Sequence, residues 1–287
     1  MLLTLLLACA APESANPLDY DASRTGAEGA DGPWGVHRVS TFDADPPNDL
    51  FTPVDGEGAA ADVGAAAVTI VLIQGGSVVP ERYWWLAEHF ASRGATVVVP
   101  HHGLDLAFFD QTAGTRALAA AVAAGTVDAA APVGFLGHSL GGVVSAYQWA
   151  DDDAIAGLAL LASYPADDAD VESRTSGAVI SIRGSTDAKV SAAQQQDGAD
   201  RFAIDHAVVT VDGMNHYDWT DDATEGELAS DGAAAGDQGA ARQVAQWALD
   251  GWVDDCLTGA ASSWAGFADA NAKGAVGAPC AGAGAVE

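Results

Sequence analysis

The 287-residue sequence predicts a doubly wound α/β domain around a mostly parallel sheet. Three observations carry this. Short runs such as Val68-Thr69-Ile70-Val71-Leu72-Ile73 are dominated by β-branched and aliphatic residues without alternation, as expected of strands buried on both faces. Segments with helical spacing of apolar residues separate them, so successive strands run parallel with a helix crossing between them. Glycine or proline marks the junctions, as at Gly75-Gly76, Gly94 and Pro100.

Taken in order, residues 36–42 read as a short extended segment and Leu50-Phe51-Thr52-Pro53 as a second short strand at the edge of the sheet. Residues 55–65, rich in Gly, Ala and Asp, read as a loop. The run 68–73 is the first long strand. Helical spacing through Tyr83, Leu86, Ala87 and Phe90 predicts a helix over 81–92, ended by Gly94. Strand 95–100, helix 112–124, strand 133–136 and helix 140–150 follow. Strands 155–161, 178–182 and 207–211 precede a closing amphipathic helix over 238–253. Only residues 162–177 lie where a lid would be inserted, so little or no lid domain and an open site are expected. The domain is predicted to span 34–256, with a Gly/Ala-rich tail over 257–287.

Composition limits the partners. Forty acidic residues against eleven basic ones give a net charge of −29, which repels phosphate backbones and argues against nucleic acid. Such a surface suits solubility in a saline environment. The opening MLLTLLLACA reads as a targeting segment, in which Leu6-Leu7-Ala8-Cys9 resembles the bacterial lipobox. Residues 1–8 are then a lipoprotein signal, Cys9 the lipid attachment site, and 9–33 a flexible tether rich in Ala, Ser, Asp, Gly and Pro. No stretch reaches the ~18 apolar residues of a membrane span, so attachment rests on lipid alone. The expected location is the periplasm-facing or outer surface of a membrane. Cys256 and Cys280 remain; in an exported chain they most simply pair, although the sequence also allows them to stay free. Neither has a His or Cys at ligand spacing, so no metal is expected there.

The chemistry centres on Gly137-His138-Ser139-Leu140-Gly141 with Gly142 following, set between a strand and a helix. This is a nucleophile elbow: a sharp, strained turn lifts the serine hydroxyl clear of the sheet while flanking glycines let the backbone cross. The Leu140 N–H, at the helix N-terminus, is placed to bind an oxyanion. A serine needs a base, and in this arrangement the chain order runs nucleophile, acid, histidine. Of the seven histidines, only His206 and His216 follow the candidate acids. His206 opens a strand at its N-terminal end, the wrong edge. His216 follows the strand's C-terminal end in Val211-Asp212-Gly213-Met214-Asn215-His216, where such sites form. Asp187, at the tip of the turn after Ile180-Ser181-Ile182-Arg183-Gly184, is the first choice of acid; it also fits a helix cap. Asp167, Asp168 and Asp170 are alternatives. The loop Gln74-Gly75-Gly76-Ser77 offers Gly76 N–H as second oxyanion donor. His101-His102 and Tyr164 are candidate pocket walls, and Trp84-Trp85 reads as helix packing.

These motifs, together with Ala162-Ser163-Tyr164-Pro165-Ala166-Asp167, Gly184-x-x-Asp187 and Gly213-Met214-Asn215-His216, resemble the dienelactone-hydrolase-like α/β-hydrolases, more narrowly the bacterial α/β-hydrolase family 5 proteins. The similarity spans about residues 67–253. It implies a Ser139–Asp187–His216 triad with Gly76 and Leu140 as oxyanion donors. The chain departs at Gln74, where many relatives carry His or Pro, and in using Ser where true dienelactone hydrolases use Cys.

The expected activity is therefore cleavage of a carboxylic ester through an acyl-enzyme, without metal or organic cofactor, on a small-molecule ester or acyl substrate. A peptidase or thioesterase uses the same residues. A non-catalytic surface lipoprotein is the rival from another class; loss of Ser, His or acid would be its mark, and all three are present.

Overall fold

The computed structural model describes residues 32–64, 67–235, 237–259, 264–270 and 274–280. The proposed signal segment, Cys9 and all of the tether up to residue 31 lie outside the described residues.

Among the described residues, nine strands form one sheet. They are β1 (Gly35–Thr41), β2 (Asn48–Val54), β3 (Val68–Ile73), β4 (Ala95–Pro100), β5 (Val133–His138), β6 (Ile155–Leu161), β7 (Ala178–Gly184), β8 (His206–Val211) and β9 (Ala275–Gly277). Their spatial order is β1-β2-β4-β3-β5-β6-β7-β8-β9. The six strands from β4 to β8 are parallel, while β1, β2 and β9 join by antiparallel pairing. The chain runs from β3 outward to β4 and then returns to the other side of β3 with β5. The crevice at this reversal, beyond the C-terminal ends of β3 and β5, is where open α/β sheets hold ligands.

The apolar runs bury both faces. In β3, Val68, Ile70 and Leu72 enter one core, and Val71 and Ile73 enter the other. The first core is covered by α1 (Trp84–Ser92) and the late helix α6 (Gln238–Gly251). The second is covered by α2 (Ala113–Ala123) and α3 (Leu140–Asp151), whose Trp149 is fully buried. Shorter helices α4 (Ala192–Ala199), α5 (Glu225–Ala229) and α7 (Trp264–Ala270) complete the set.

Several boundaries differ from expectation. The helix foreseen from residue 81 opens as a 3-10 turn, Pro80–Tyr83, because Pro80 lacks an N–H and fits only a first turn. The closing helix ends at Gly251 and widens into a π-helical turn, Trp252–Thr258. That widening drives Trp252 and Leu257 against Gly134 and Gly157, where an added Cβ would meet the Trp252 ring at 2.7 Å. β2 is not an edge strand: β1 lies outside it, and Asp49 in β2 is fully buried. The tail contributes a strand the sequence did not mark, since β9 pairs with β8, and Cys256 is bonded to Cys280 as the sequence favoured. Between β6 and β7 there is only a 3-10 turn, Val171–Ser173, so nothing the size of a lid is inserted there.

Candidate active site

Ser139 sits between β5 and α3 with φ 52° and ψ −123°, a conformation that costs an L-residue energy and persists only where the surroundings enforce it. The enforcement is visible. Ser139 N–H donates to Leu161 O at 2.9 Å, and Ser139 O accepts from Gly142 N–H at 3.0 Å and from Ser163 Oγ at 2.6 Å. Two glycines allow the crossing: a Cβ at Gly137 would fall 2.4 Å from the Gly141 backbone, and one at Gly141 would fall 2.3 Å from Ile73 O. The strained turn is thus wedged between β3 and β6.

His216 begins a 3-10 turn, His216–Trp219, in the loop that leaves the C-terminal end of β8. Asn215 and Asp218 cap this turn reciprocally: Asn215 N–H donates to Asp218 Oδ2 at 2.7 Å, and Asp218 N–H to Asn215 Oδ1 at 3.0 Å. Asp187 follows β7, and its loop is stitched to the His216 loop by Thr186, whose N–H and hydroxyl both donate to Met214 O at 3.0 and 2.8 Å. Across this seam His216 Nδ1–H donates to Asp187 Oδ2 at 3.0 Å, with the side chains 5% and 1% exposed. That bond leaves Nε2 as the unprotonated nitrogen of the neutral ring, the state a general base needs. The other carboxylate oxygen accepts from Lys189 and Val190 N–H at 2.8 and 2.9 Å. Asp187 therefore closes a local turn and holds the histidine at once. It is not the helix cap the sequence also allowed, because α4 is capped by Ser191, whose hydroxyl accepts from Gln194 N–H.

Ser139 and His216 line a single cavity of about 160 Å³ with Gly75 and Gly76. Val78, His138, Lys189, Val190 and Tyr217 complete its wall. The serine and the histidine thus face one cavity, with His216 held from behind by Asp187. Gly75 N–H is occupied, donating to Tyr83 Oη at 2.9 Å. Gly76 and Leu140 N–H have no acceptor among the described residues. The two residues are packed together, since a Cβ at Gly76 would meet the Leu140 side chain at 3.1 Å.

Other candidates do not reach the cavity. His101 Nε2 pairs with buried Asp49 at 2.9 Å; burial disfavours its cation, but the hydrogen bond and charge of Asp49 outweigh this and raise its pKa. His102 bonds Gln74 Oε1 through Nδ1 at 2.9 Å, and burial lowers it to about 4. Tyr164 packs over Gly198 instead of the cavity, because a Cβ there would lie 2.7 Å from Tyr164 Cβ. Asp168 is bonded by Tyr147 Oη, and Arg201 clamps this loop through Ala166 and Ala169 O at 2.7 and 2.6 Å, away from His216. Trp84 and Trp85 hold the fold, donating to Asp49 Oδ2 at 3.1 Å and Trp219 O at 3.2 Å. His206 occupies the first position of β8 and bonds Ile204 O at 3.1 Å, remote from the seam.

Sequence reasoning missed Tyr83 and His138 as part of the site. His138 carried a signal, being the residue between Gly137 and the serine, but Tyr83 was legible only as a helix-face residue. No group of three or more His, Cys, Asp or Glu side chains is gathered for a metal among the described residues.

No curated protein matches the chain. A model of the alpha/beta hydrolase family, however, matches residues 69–244, which run from β3 through the first half of α6 and include the elbow, the Asp187 turn and the His216 loop. The chain belongs to the alpha/beta hydrolase family.

Proposed function

We propose that the protein is a serine hydrolase that cleaves carboxylic esters through an acyl-enzyme on Ser139. The observation that carries the reading is the buried His216–Asp187 bond, 3.0 Å long, beside a serine held at φ 52° on the same cavity. Such geometry is costly to maintain and supplies what acyl transfer needs. In the first step Ser139 Oγ attacks the ester carbonyl, His216 Nε2 takes its proton, and Gly76 and Leu140 N–H groups hold the resulting oxyanion. His216 returns the proton to the departing alcohol. Water, deprotonated by His216, then attacks the acyl-enzyme and releases the acid. Labelling of the purified protein by a fluorophosphonate probe tests the reading, and a folded wild type that fails to label at both low and high salt overturns it.

The cavity also suggests a substrate size. At about 160 Å³ it falls below the volumes of roughly 300–1,000 Å³ that enclose drug-sized ligands. Short acyl groups are the substrate class this favours. Across a p-nitrophenyl ester series, kcat/KM should be highest for acetyl or butyryl and fall at least tenfold by palmitoyl; a rise with chain length would contradict it. The serine nucleophile, in place of the cysteine of true dienelactone hydrolases, speaks against a dienelactone substrate.

We propose further that Cys9 carries lipid and anchors the enzyme to a membrane facing the periplasm or the exterior. The support is the Leu6-Leu7-Ala8-Cys9 sequence and the polar segment after it. No helix among the described residues is long and apolar enough to cross a membrane. Expressed in a bacterium, the full chain should incorporate labelled fatty acid and sediment with membranes, and Cys9→Ala should do neither.

A further inference from the structure

Behind the proposed oxyanion donor lies a chain of hydrogen bonds that the acyl-transfer mechanism does not use. Gly75 N–H donates to Tyr83 Oη at 2.9 Å, Tyr83 and His138 Nδ1 are 2.8 Å apart, and His138 Nε2 is 3.1 Å from the backbone carbonyl of His216. Only one arrangement of protons satisfies all three. A carbonyl can only accept, so His138 Nε2 must carry the hydrogen. His138 Nδ1 is then the acceptor, and the single phenolic proton of Tyr83 goes to it. The Tyr83 oxygen is left to accept from Gly75.

From this geometry we infer that Tyr83 and His138 are positioning residues, which lock the loop carrying the oxyanion donor to the loop carrying the base. The inference rests on the serine-hydrolase reading of the site. Tyr83 arrives from the turn after β3, His138 from the end of β5 and His216 from the end of β8, so the chain ties together three segments distant in sequence. Both rings are sealed from solvent, at 0% and 1% exposure. The oxyanion loop sits directly on them: a Cβ at Gly75 would lie 2.8 Å from His138 Nδ1 and 2.9 Å from Tyr83 Oη. Glycine at 75 is therefore needed for close approach, while its neighbour Gly76 remains free to bind substrate oxygen.

The chemistry of the two rings suits a fixed strut. Burial, reinforced by repulsion from His216 whenever that ring is protonated, holds His138 neutral, well below the ordinary histidine range. Burial likewise pushes the Tyr83 phenol up, keeping its proton in place. The His138 and His216 rings are 4.6 Å apart, so a second cation there would compete with the imidazolium that forms during acyl transfer. A neutral, singly protonated His138 avoids this while still donating to the His216 backbone. Misplacing an oxyanion donor by about 1 Å costs up to 10²-fold in rate, which sets the scale of what the strut protects.

The test uses the full chain, a short p-nitrophenyl ester and three variants. Tyr83→Phe keeps the ring but strands Gly75 N–H and His138 Nδ1. His138→Gln keeps one neutral donor and one acceptor. His138→Leu keeps neither. The expected result is a kcat lowered about 10- to 100-fold in Tyr83→Phe and at least as much in His138→Leu, with KM changed less than about twofold. His138→Gln should recover to within a few-fold of wild type, which a merely volumetric role would not predict. Nitrogen-15 spectra of labelled histidine supply a second readout that does not require activity. His138 should show a protonated Nε2 and an accepting Nδ1, and the His216 ring signals should shift in Tyr83→Phe. Unchanged kcat in a folded Tyr83→Phe, or unchanged His216 signals, overturns the inference. An unlabelled wild type defeats the hydrolase reading instead, and the spectra then decide on the strut alone, even if His138→Leu does not fold.

Discussion

Ser139→Ala should remain folded and lose activity by about six orders of magnitude in kcat, taking fluorophosphonate labelling with it. The size of the effect follows from what the hydroxyl does. In the proposed mechanism every covalent step passes through Oγ, so the variant would retain only oxyanion binding and orientation, worth about 10³–10⁴ over water. Folding should survive because the elbow is held by backbone contacts to Leu161, Ser163 and Gly142, none of which involves the Ser139 side chain. Alanine carries the same Cβ at the same φ of 52°, so the backbone strain is unchanged and the thermal midpoint should stay close to that of wild type. Measured esterase activity, probe labelling and circular dichroism together check this. Residual hydrolysis within a hundredfold of wild type would mean that another nucleophile acts.

Asp187→Asn should lower kcat about 10⁴-fold while leaving the fold nearly intact. The carboxylate has two duties that the substitution separates. An asparagine carbonyl oxygen can still accept from Lys189 and Val190 N–H, so the turn after β7 is kept. Its amide then faces His216 Nδ1 and offers a hydrogen where the ring needs an acceptor. The imidazole must present Nδ1 as the acceptor and carry its proton on Nε2, the nitrogen required to take the proton of Ser139. The imidazolium formed in the transition state also loses its buried counter-charge, only 1% exposed in the wild type. Asp187→Ala removes both duties and should cost stability as well as rate. Comparing kcat and melting temperature for the two variants separates the tautomer from the turn. If Asn and wild type turn over alike, Asp187 does not orient the base.

Much of the fold was legible because its signals are local. Each long parallel strand is an unbroken apolar run, so a window of six residues suffices to find β3, β4 or β6. The elbow was legible for the same reason, since glycine, serine and glycine within one turn report their own backbone. What failed was whatever depends on a partner elsewhere in the chain. β2 carries the residues of a short edge strand, yet β1 covers it, and the buried Asp49 is tolerated only because His101, Trp84 and Ser40 converge on it. β9 has no pattern of its own; with three residues it exists through pairing to β8, near the Cys256–Cys280 bond.

The site divides in the same way. Sequence alone determined a parallel α/β sheet, a serine on a strained turn and a histidine beyond the end of a late strand, because backbone conformation and chain order are encoded within short segments. Tertiary structure decided which aspartate meets that histidine: Asp167, Asp168 and Asp187 all follow parallel strands, but only the loop bearing Asp187 is stitched to Met214. It also decided that Tyr83 and His138, read as one helix-face residue and one motif spacer, stand in a single line between the Gly75 loop and the His216 loop. The physical reason is common to both. Periodicity tells which face a residue presents, but which side chain it meets is set by the order in which distant strands pack.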